Sequence, residues 1–504
     1  MAIYSFSPFG YEGALVNIEV DLRRGIPAVD IVGLADGAVK ESRERMRAAI
    51  RNSGFEFPSE RVLMSLSPAD LKKEGAGFDL PMALAVLCAK EDYPIEQKTD
   101  VLVMGELELS GNVRPVKGVY PALSTSVASG IQYAIVPKGC EVAVPQGMKV
   151  FYVETLEDAY RTIVSIDKGD KLENFVPSNV PTDFDNVEFE DYEGMNLDDI
   201  KGRNGLKFAM AVAVAGRHHI MAWGSPGCGK TMVLQCMPQI TPKLRPQESF
   251  SVTRIWSLAG LLRGSSEYVR TRPFRMPHQT ASIEGICGGG PNCRPGEISL
   301  AHNGTLFLDE AAEFRSSVLQ MLRVPLETGT ITLSRAGRTT VFPAHFQLVM
   351  ATNPCPCGNY GSKEKICLCS AKSVDLYWKK FSDPLLDRIT IRYNCSEEDK
   401  YVDYSLEDLR RMIKRACERQ YKRQDCLNQD LDPKGVSDFC QLTQGAARWL
   451  DKQTLKYGYS PREISGLLKV ARTLCDMHEE ECDTIGELYI KMAVQLHSQT
   501  PLFE

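Results

Sequence analysis

Between about residue 200 and residue 400, short unbroken apolar runs alternate with helical stretches. "HHIMAW", "GTLFL" and "FQLVMAT" are such runs. Strands of this kind, separated by helices, predict an α/β domain built on a parallel sheet. From about residue 400 the spacing turns helical. "EDLRRMIKRACERQYKRQ" places Leu409, Met412, Ile413, Ala416 and Cys417 on one face, and "REISGLLKVARTLCDM" repeats the pattern. Between 165 and 199 apolar periodicity disappears, and Pro177 and Pro181 sit among polar residues. The pattern predicts an N-terminal domain (1–164), a linker (165–194), a central α/β domain (195–398) and a helical C-terminal domain (399–504).

Bulk properties add three constraints. A chain of 504 residues has room for about three domains of ~150 residues. No apolar run reaches the ~20 residues of a membrane span, and the first residues lack the basic and apolar regions of a signal peptide. With 16 scattered cysteines, this predicts a cytoplasmic protein whose thiols stay free or bind metal. The net charge of −6 is unevenly placed: residues 165–199 hold eleven acids and two lysines, leaving about +3 elsewhere. An acidic total therefore does not exclude a nucleic-acid partner.

The candidate chemistry begins at "GSPGCGKT", where Gly224, Ser225, Pro226, Gly227, Cys228, Gly229, Lys230 and Thr231 fit G-x-x-x-x-G-K-[ST] between an apolar strand and a helix. The glycines let backbone N–H groups close on phosphate oxygens. Lys230 reaches the β and γ phosphates of ATP, and Thr231 is placed to ligate Mg²⁺. Downstream, "LFLDE" delivers Asp309, to hold Mg²⁺ through water, and Glu310, to polarise an attacking water. A third strand ends at Asn353, whose amide can orient that water.

This order, with "NLDDIKGRNGLKFAMAVAVAGRHHIMAWGSPGCGKT", "RPFRMPHQTASIEGICGGGPNCRPGEISLAHNGTLFLDE", "MATNPCPCG" and "PLLDRITI", resembles the magnesium-chelatase-like family of AAA+ ATPases, of the ComM/YifB type. The resemblance spans essentially the whole chain; one departure is Gln279 where the family usually has a second histidine after His278. It implies a P-loop core with a helical lid, and a homo-hexameric ring. Arg388 matches the arginine finger, which acts on a neighbour's ATP. Such a finger is worth roughly 10³–10⁵ in rate; the alternative is an ion pair with Asp387 or Asp383. Arg462, after Ser460-Pro461, matches the lid's second sensor, expected to touch the γ-phosphate of its own subunit.

Two stretches bear on DNA. "ETGTITLSRAGRTTVFPAHFQLV" reads as a hairpin whose tip carries Arg335, Gly337 and Arg338, suited to sequence-independent grip on phosphates. The 73-residue gap from Thr231 to Gly304 carries Arg254, Arg263, Arg270, Arg272 and Arg275 against Glu267 alone in "RIWSLAGLLRGSSEYVRTRPFRMPHQT". It is expected to be either a nucleic-acid surface or a solvated face making ring contacts. The family resemblance implies branch migration of recombination intermediates on single-stranded or branched DNA. The rivals are an ATPase remodelling a protein partner and a chelatase motor inserting Mg²⁺ into porphyrin.

"NPCPCGNYGSKEKICLCS" holds two C-x-C pairs, Cys355 with Cys357 and Cys367 with Cys369, separated by nine residues. Four thiolates can hold one structural Zn²⁺. Free packing thiols, redox regulation, and Cys287 or Cys293 as alternative partners remain open. At the N-terminus, "KEGAGFDLPMALAVL" and "GELELSGNVRPVKGVYPALSTSVASGIQYAIVP" resemble the proteolytic domain of Lon, a ribosomal-protein-S5-like α+β fold. Matched by motif, its Ser and Lys fall at Gly77 and Tyr120, so peptidase chemistry is not expected. Arg43, Arg45 and Arg47 are expected on a solvated helix face. An N-terminal domain of this type is expected to argue against the chelatase reading.

Overall fold

The computed structural model describes residues 2–33, 37–69, 71, 73, 76–90, 99–170, 175–178, 187–192, 194–262, 267–290, 293–335, 338–361, 365–396 and 402–497. Its centre is a five-stranded sheet ordered Phe274–Arg275, Thr305–Leu308, Gln347–Thr352, Ile220–Trp223, Ile391–Asn394. Every pairing in it is parallel. Period-2 alternation explains why the strands are continuously apolar. Ile220, Ala222, Phe307, Val349 and Ala351 face one core, shared with the lid. Met221, Trp223, Leu306, Leu308, Leu348 and Met350 face the other, with Phe314, Trp378 and Phe381.

The helix Asn204–Gly216 is buried from Gly205 to Gly216, as an all-round apolar helix must be. It lies in the same core as the lid residues Leu409, Ile413, Ala416, Cys417, Leu467 and Val470. The lid helices are Leu406–Gln424, Pro433–Phe439, Gln444–Tyr457, Pro461–Met477 and Glu487–Leu496. Capping boxes start two of them: Ser405 with Asp408, and Ser460 with Glu463. Inside the lid, Asp476 is fully buried and accepts from Arg423, Arg472 and Asn428.

The N-terminal region forms a mixed seven-stranded sheet: Val29–Val32, Arg61–Ser67, Ala14–Arg23, Ile3–Ser7, Val101–Val103, Tyr133–Pro137, Lys149–Val153. Arg254, from the central helix Pro246–Ala259, ties it down. Its guanidinium donates to the carbonyls of Tyr11 (3.0 Å) and Glu12 (2.7 Å) and to the hydroxyls of Ser124 and Thr125 (3.0 Å each). The acidic tract is partly held as well, because Glu188 pairs with Lys243 (3.6 Å) and Arg270 (3.5 Å).

Candidate active site

Because the sheet is parallel and in register, the carboxyl ends of three strands meet at one edge. Trp223 lies opposite Thr352, and Leu308 opposite Met350, so Gly224, Asp309 and Asn353 emerge side by side. The loop after Trp223 turns through Gly227 (φ 77°) and Gly229 (φ 81°), left-handed positions that a side chain would strain. The helix Lys230–Gln235 starts directly behind them. Lys230 Nζ donates to the carbonyls of Gly224 (2.7 Å) and Ser225 (3.0 Å), which curls the ammonium into the loop. Thr231 Oγ1 donates to Asp309 Oδ1 at 2.9 Å, so the two groups expected around Mg²⁺ already touch. Glu310 adopts φ 48°, a left-handed conformation unusual for a glutamate and the kind of strain found at functional sites. Its backbone N–H is held by Asp309 Oδ1 at 3.0 Å.

Cys228 extends the loop's chemistry. The hydrogen bond with Cys395 lowers the pKa of its thiol, aided by the nearby Lys230 ammonium and opposed by burial. The Lys230 Nζ–Cys228 Sγ distance is 3.6 Å. Beyond the strand Gln347–Thr352, Gly358 lies against the glycine-rich loop: a Cβ placed on it would stand 2.5 Å from Pro226 Cγ and 3.9 Å from Asn353 Cγ. Four cysteines then converge, with Sγ atoms of Cys355, Cys357, Cys367 and Cys369 all within 4.8 Å of one another. Cys287 and Cys293 are not in this group; both are buried, and Cys287 donates to Met321 Sδ at 3.7 Å.

A family model described as "Magnesium chelatase, subunit ChlI" matches residues 196–402, and its C-terminal counterpart matches 404–497. A third, described as "Subunit ChlI of Mg-chelatase", matches residues 18–140. The chain is 33% identical over 500 residues to YifB of Escherichia coli strain K12, covering 98% of this chain and 96% of that one. It is 34% identical over 491 residues to the competence protein ComM of Haemophilus influenzae strain Rd, covering 95% and 94%. The chain belongs to the magnesium-chelatase-like family of AAA+ ATPases. A stretch of 163 residues, 32% of this chain and 24% of the other, is 23% identical to an archaeal Lon protease of Methanocaldococcus jannaschii. Membership implies ATP and Mg²⁺, and the left-handed glycines, Lys230 and the Thr231–Asp309 contact fit both. Because residues 18–140 also match a ChlI description, the N-terminal domain does not by itself argue against a chelatase reading.

Arg388 and Arg462 converge on one carboxylate. Arg388 Nη2 lies 2.5 Å from Glu327 Oε2, and Arg462 Nη2 lies 3.0 Å from Glu327 Oε1. Arg388 also donates to the carbonyl of Pro384. The hydrogen bond from Arg388 holds the Glu327 carboxyl below its usual range. The partner of Arg388 is therefore neither Asp387 nor Asp383 but a residue 61 positions away. The sequence carries no signal for Glu327, an ordinary helical glutamate. The shared acceptor also places Arg462 beside Arg388.

The described arginines of the basic insertion are drawn into contacts within the chain. Arg272, its side chain 9% exposed, pairs with Glu248 at 2.7 Å, and Arg275 grips Glu297 at 2.7 and 2.8 Å. Arg254 is committed to the N-terminal domain and Arg270 to Glu188. Arg263 lies outside the described residues. Acids distant in sequence neutralise what reads locally as a basic run. The hairpin does form: Thr330–Arg335 pairs antiparallel with Arg338–Pro343, with Arg335 opposite Arg338. Its base is anchored by buried Ile331 and Phe342, while Gly337 and the Arg335 and Arg338 side chains lie outside the described residues.

On the N-terminal domain, Tyr120 is buried and meets Tyr268 of the insertion edge-on at 5.8 Å. The position matched to Lon's lysine is thus a packing contact between domains, and burial raises the phenol's pKa further from any basic role. Arg45 reaches buried Asp79 at 2.7 Å and Arg47 lies over Phe57, so only Arg43 has a mainly solvated setting.

Proposed function

We propose that the protein is an ATP-driven DNA motor, a branch-migration helicase for recombination intermediates, working as a homo-hexamer in the cytoplasm. Its working units are 1–164, 165–194, 195–398 and 399–504. What supports the reading most is continuity: the hairpin strand Arg338–Pro343 leads within three residues into the strand Gln347–Thr352, which ends at Asn353. A shift of Asn353 with the nucleotide state is carried along a rigid strand to the arginine tip. The competence protein ComM, similar over 95% of this chain, points the same way.

In the proposed cycle, Gly224 to Gly229 wrap the phosphates, Lys230 turns from its carbonyl partners to the β and γ phosphates, and Thr231 and Asp309 hold Mg²⁺. Mg²⁺ held by these two residues would supply positive charge against the charge developing on the phosphates. Glu310 takes the proton of the attacking water while Asn353 orients it. Arg388 leaves Glu327 and stabilises the γ-phosphate of the adjoining subunit; Arg462, on the same carboxylate, goes with it into that neighbouring site. The alternative keeps Arg462 in its own subunit, as the resemblance implies.

Arg335→Ala combined with Arg338→Ala tests the DNA half. DNA-free hydrolysis should persist, whereas DNA affinity and DNA-stimulated hydrolysis should fall. The slope of log K against log salt should shrink by about 0.7 for each single-strand phosphate that the double variant no longer grips. Unchanged affinity and stimulation would refute the hairpin assignment. The ChlI descriptions favour one other reading, a porphyrin-metallation motor, which predicts hydrolysis responsive to porphyrin and chelatase partner subunits but indifferent to DNA.

A further inference from the structure

We propose that Cys355, Cys357, Cys367 and Cys369 bind one zinc ion, and that the resulting knuckle is a rigid buttress for the P-loop. Thiol spacing carries the first half. Sγ–Sγ distances are 3.4 Å for Cys355–Cys357, 3.7 Å for Cys355–Cys367 and 3.6 Å for Cys357–Cys367. A tetrahedron with Zn–S bonds of ~2.3 Å has edges of about 3.8 Å. Disulfides would pair the sulfurs in twos at ~2.05 Å, whereas Cys355, Cys357 and Cys367 are nearly equidistant from one another. Thiols this close surround one ion; a multi-iron cluster would need its ligands spread around a larger core.

The second observation is an inverted apolar pattern. In "KICLC" the two cysteines turn inward while Ile366 and Leu368 are 84% and 89% exposed. A segment held by hydrophobic packing would do the reverse, since burial of those two side chains is favourable. Something other than packing must close this loop, and four thiolates on a metal ion do so. Binding releases the thiol protons and leaves an anionic tetrathiolate, whose charge needs nearby donors. The Tyr360 N–H supplies one to Cys355 Sγ at 3.4 Å. The turn is closed by Gly358 N–H donating to the Cys355 carbonyl at 3.0 Å.

The buttress follows from what the knuckle touches. Gly358, at φ 77°, sits where even a Cβ would overlap Pro226 of the P-loop. Trp378 Nε1 donates to the Pro354 carbonyl at 2.9 Å, fixing the knuckle's other side to the core. The ion thus holds a surface against which Pro226 rests, beside the sensor Asn353. This half rests on the P-loop being the nucleotide site; the zinc half does not.

The test is the zinc content of the full chain, purified without chelator or added metal. About one zinc per chain is expected, with release on titration by a mercurial reported by a zinc indicator. Cys367→Ser with Cys369→Ser should lose the metal and weaken binding of a fluorescent ADP analogue about tenfold. Wild-type protein without metal, its four thiols reacting freely with a disulfide reagent, would overturn the zinc assignment whether or not the variant folds. A zinc-free variant that folds and binds the analogue like wild type would overturn the buttress while leaving the metal in place.

Discussion

Gly358→Ala and Gly361→Ala form a matched pair that isolates the contact between the cysteine knuckle and the P-loop. Both glycines have left-handed backbones, φ 77° and 73°, so an added methyl costs each about 1–2 kcal/mol of backbone strain. They differ in surroundings. Among the described residues a Cβ at Gly361 meets nothing within 4 Å, whereas at Gly358 it stands 2.5 Å from Pro226 Cγ and 2.6 Å from Pro226 Cδ. Carbon–carbon contacts settle at ~3.5–4.0 Å, so the proline ring must retreat by about 1 Å. Overpacking of this kind costs roughly 1–3 kcal/mol. Felt at the nucleotide loop, it lowers affinity by about 5- to 150-fold, at ~1.4 kcal/mol per tenfold. Titration with a fluorescent ADP analogue, with denaturant unfolding alongside, separates the two terms. Gly361→Ala should lose stability and keep affinity, and Gly358→Ala should lose both. Equal affinities in the two variants would refute the claim that the knuckle supports the P-loop.

Mixed assemblies test the arginines: Arg388→Ala subunits mixed with Glu310→Gln subunits should regain hydrolysis absent from either alone. Arg462→Ala should behave the same way, and failure to complement would mean that it serves its own subunit. Asp476→Ala leaves Arg472, its side chain 3% exposed, without its carboxylate, and should cost about 3–5 kcal/mol in denaturant unfolding. Buried His218, His219 and His302 are depressed by desolvation to about 4, 3 and 3. Because the unfolded chain binds those protons first, their contribution is intact above about pH 6.5 and is lost as pH falls toward 4. Unfolding midpoints at pH 7.5 and pH 5.5 should therefore differ, with the acidic sample less stable.

The candidate nucleotide site is legible in the sequence because its parts are contiguous or lie at strand ends. "GSPGCGKT" needs only a strand before it and a helix after it, and the strand ends after Trp223, Leu308 and Thr352 meet because a parallel sheet forces them to. Lid packing is legible for the same local reason: helical spacing puts Leu409, Ile413, Ala416 and Cys417 on the buried face. What spacing cannot give is a partner brought in by the fold. Arg272 and Arg275 read as free cations because Glu248 and Glu297 lie 24 and 22 residues away. Glu327 joins Arg388 across 61 residues and Arg462 across 135. Tyr120 reads as a lost catalytic position, and only tertiary packing turns it into a contact with Tyr268.

The most direct measurement is ATP hydrolysis by the full chain with and without a four-way DNA junction, beside strand displacement on the same substrate. The junction should stimulate hydrolysis, strands should separate only with ATP and Mg²⁺, and Glu310→Gln should abolish both while still binding nucleotide. Hydrolysis that Glu310→Gln eliminates but that no DNA alters would contradict the motor.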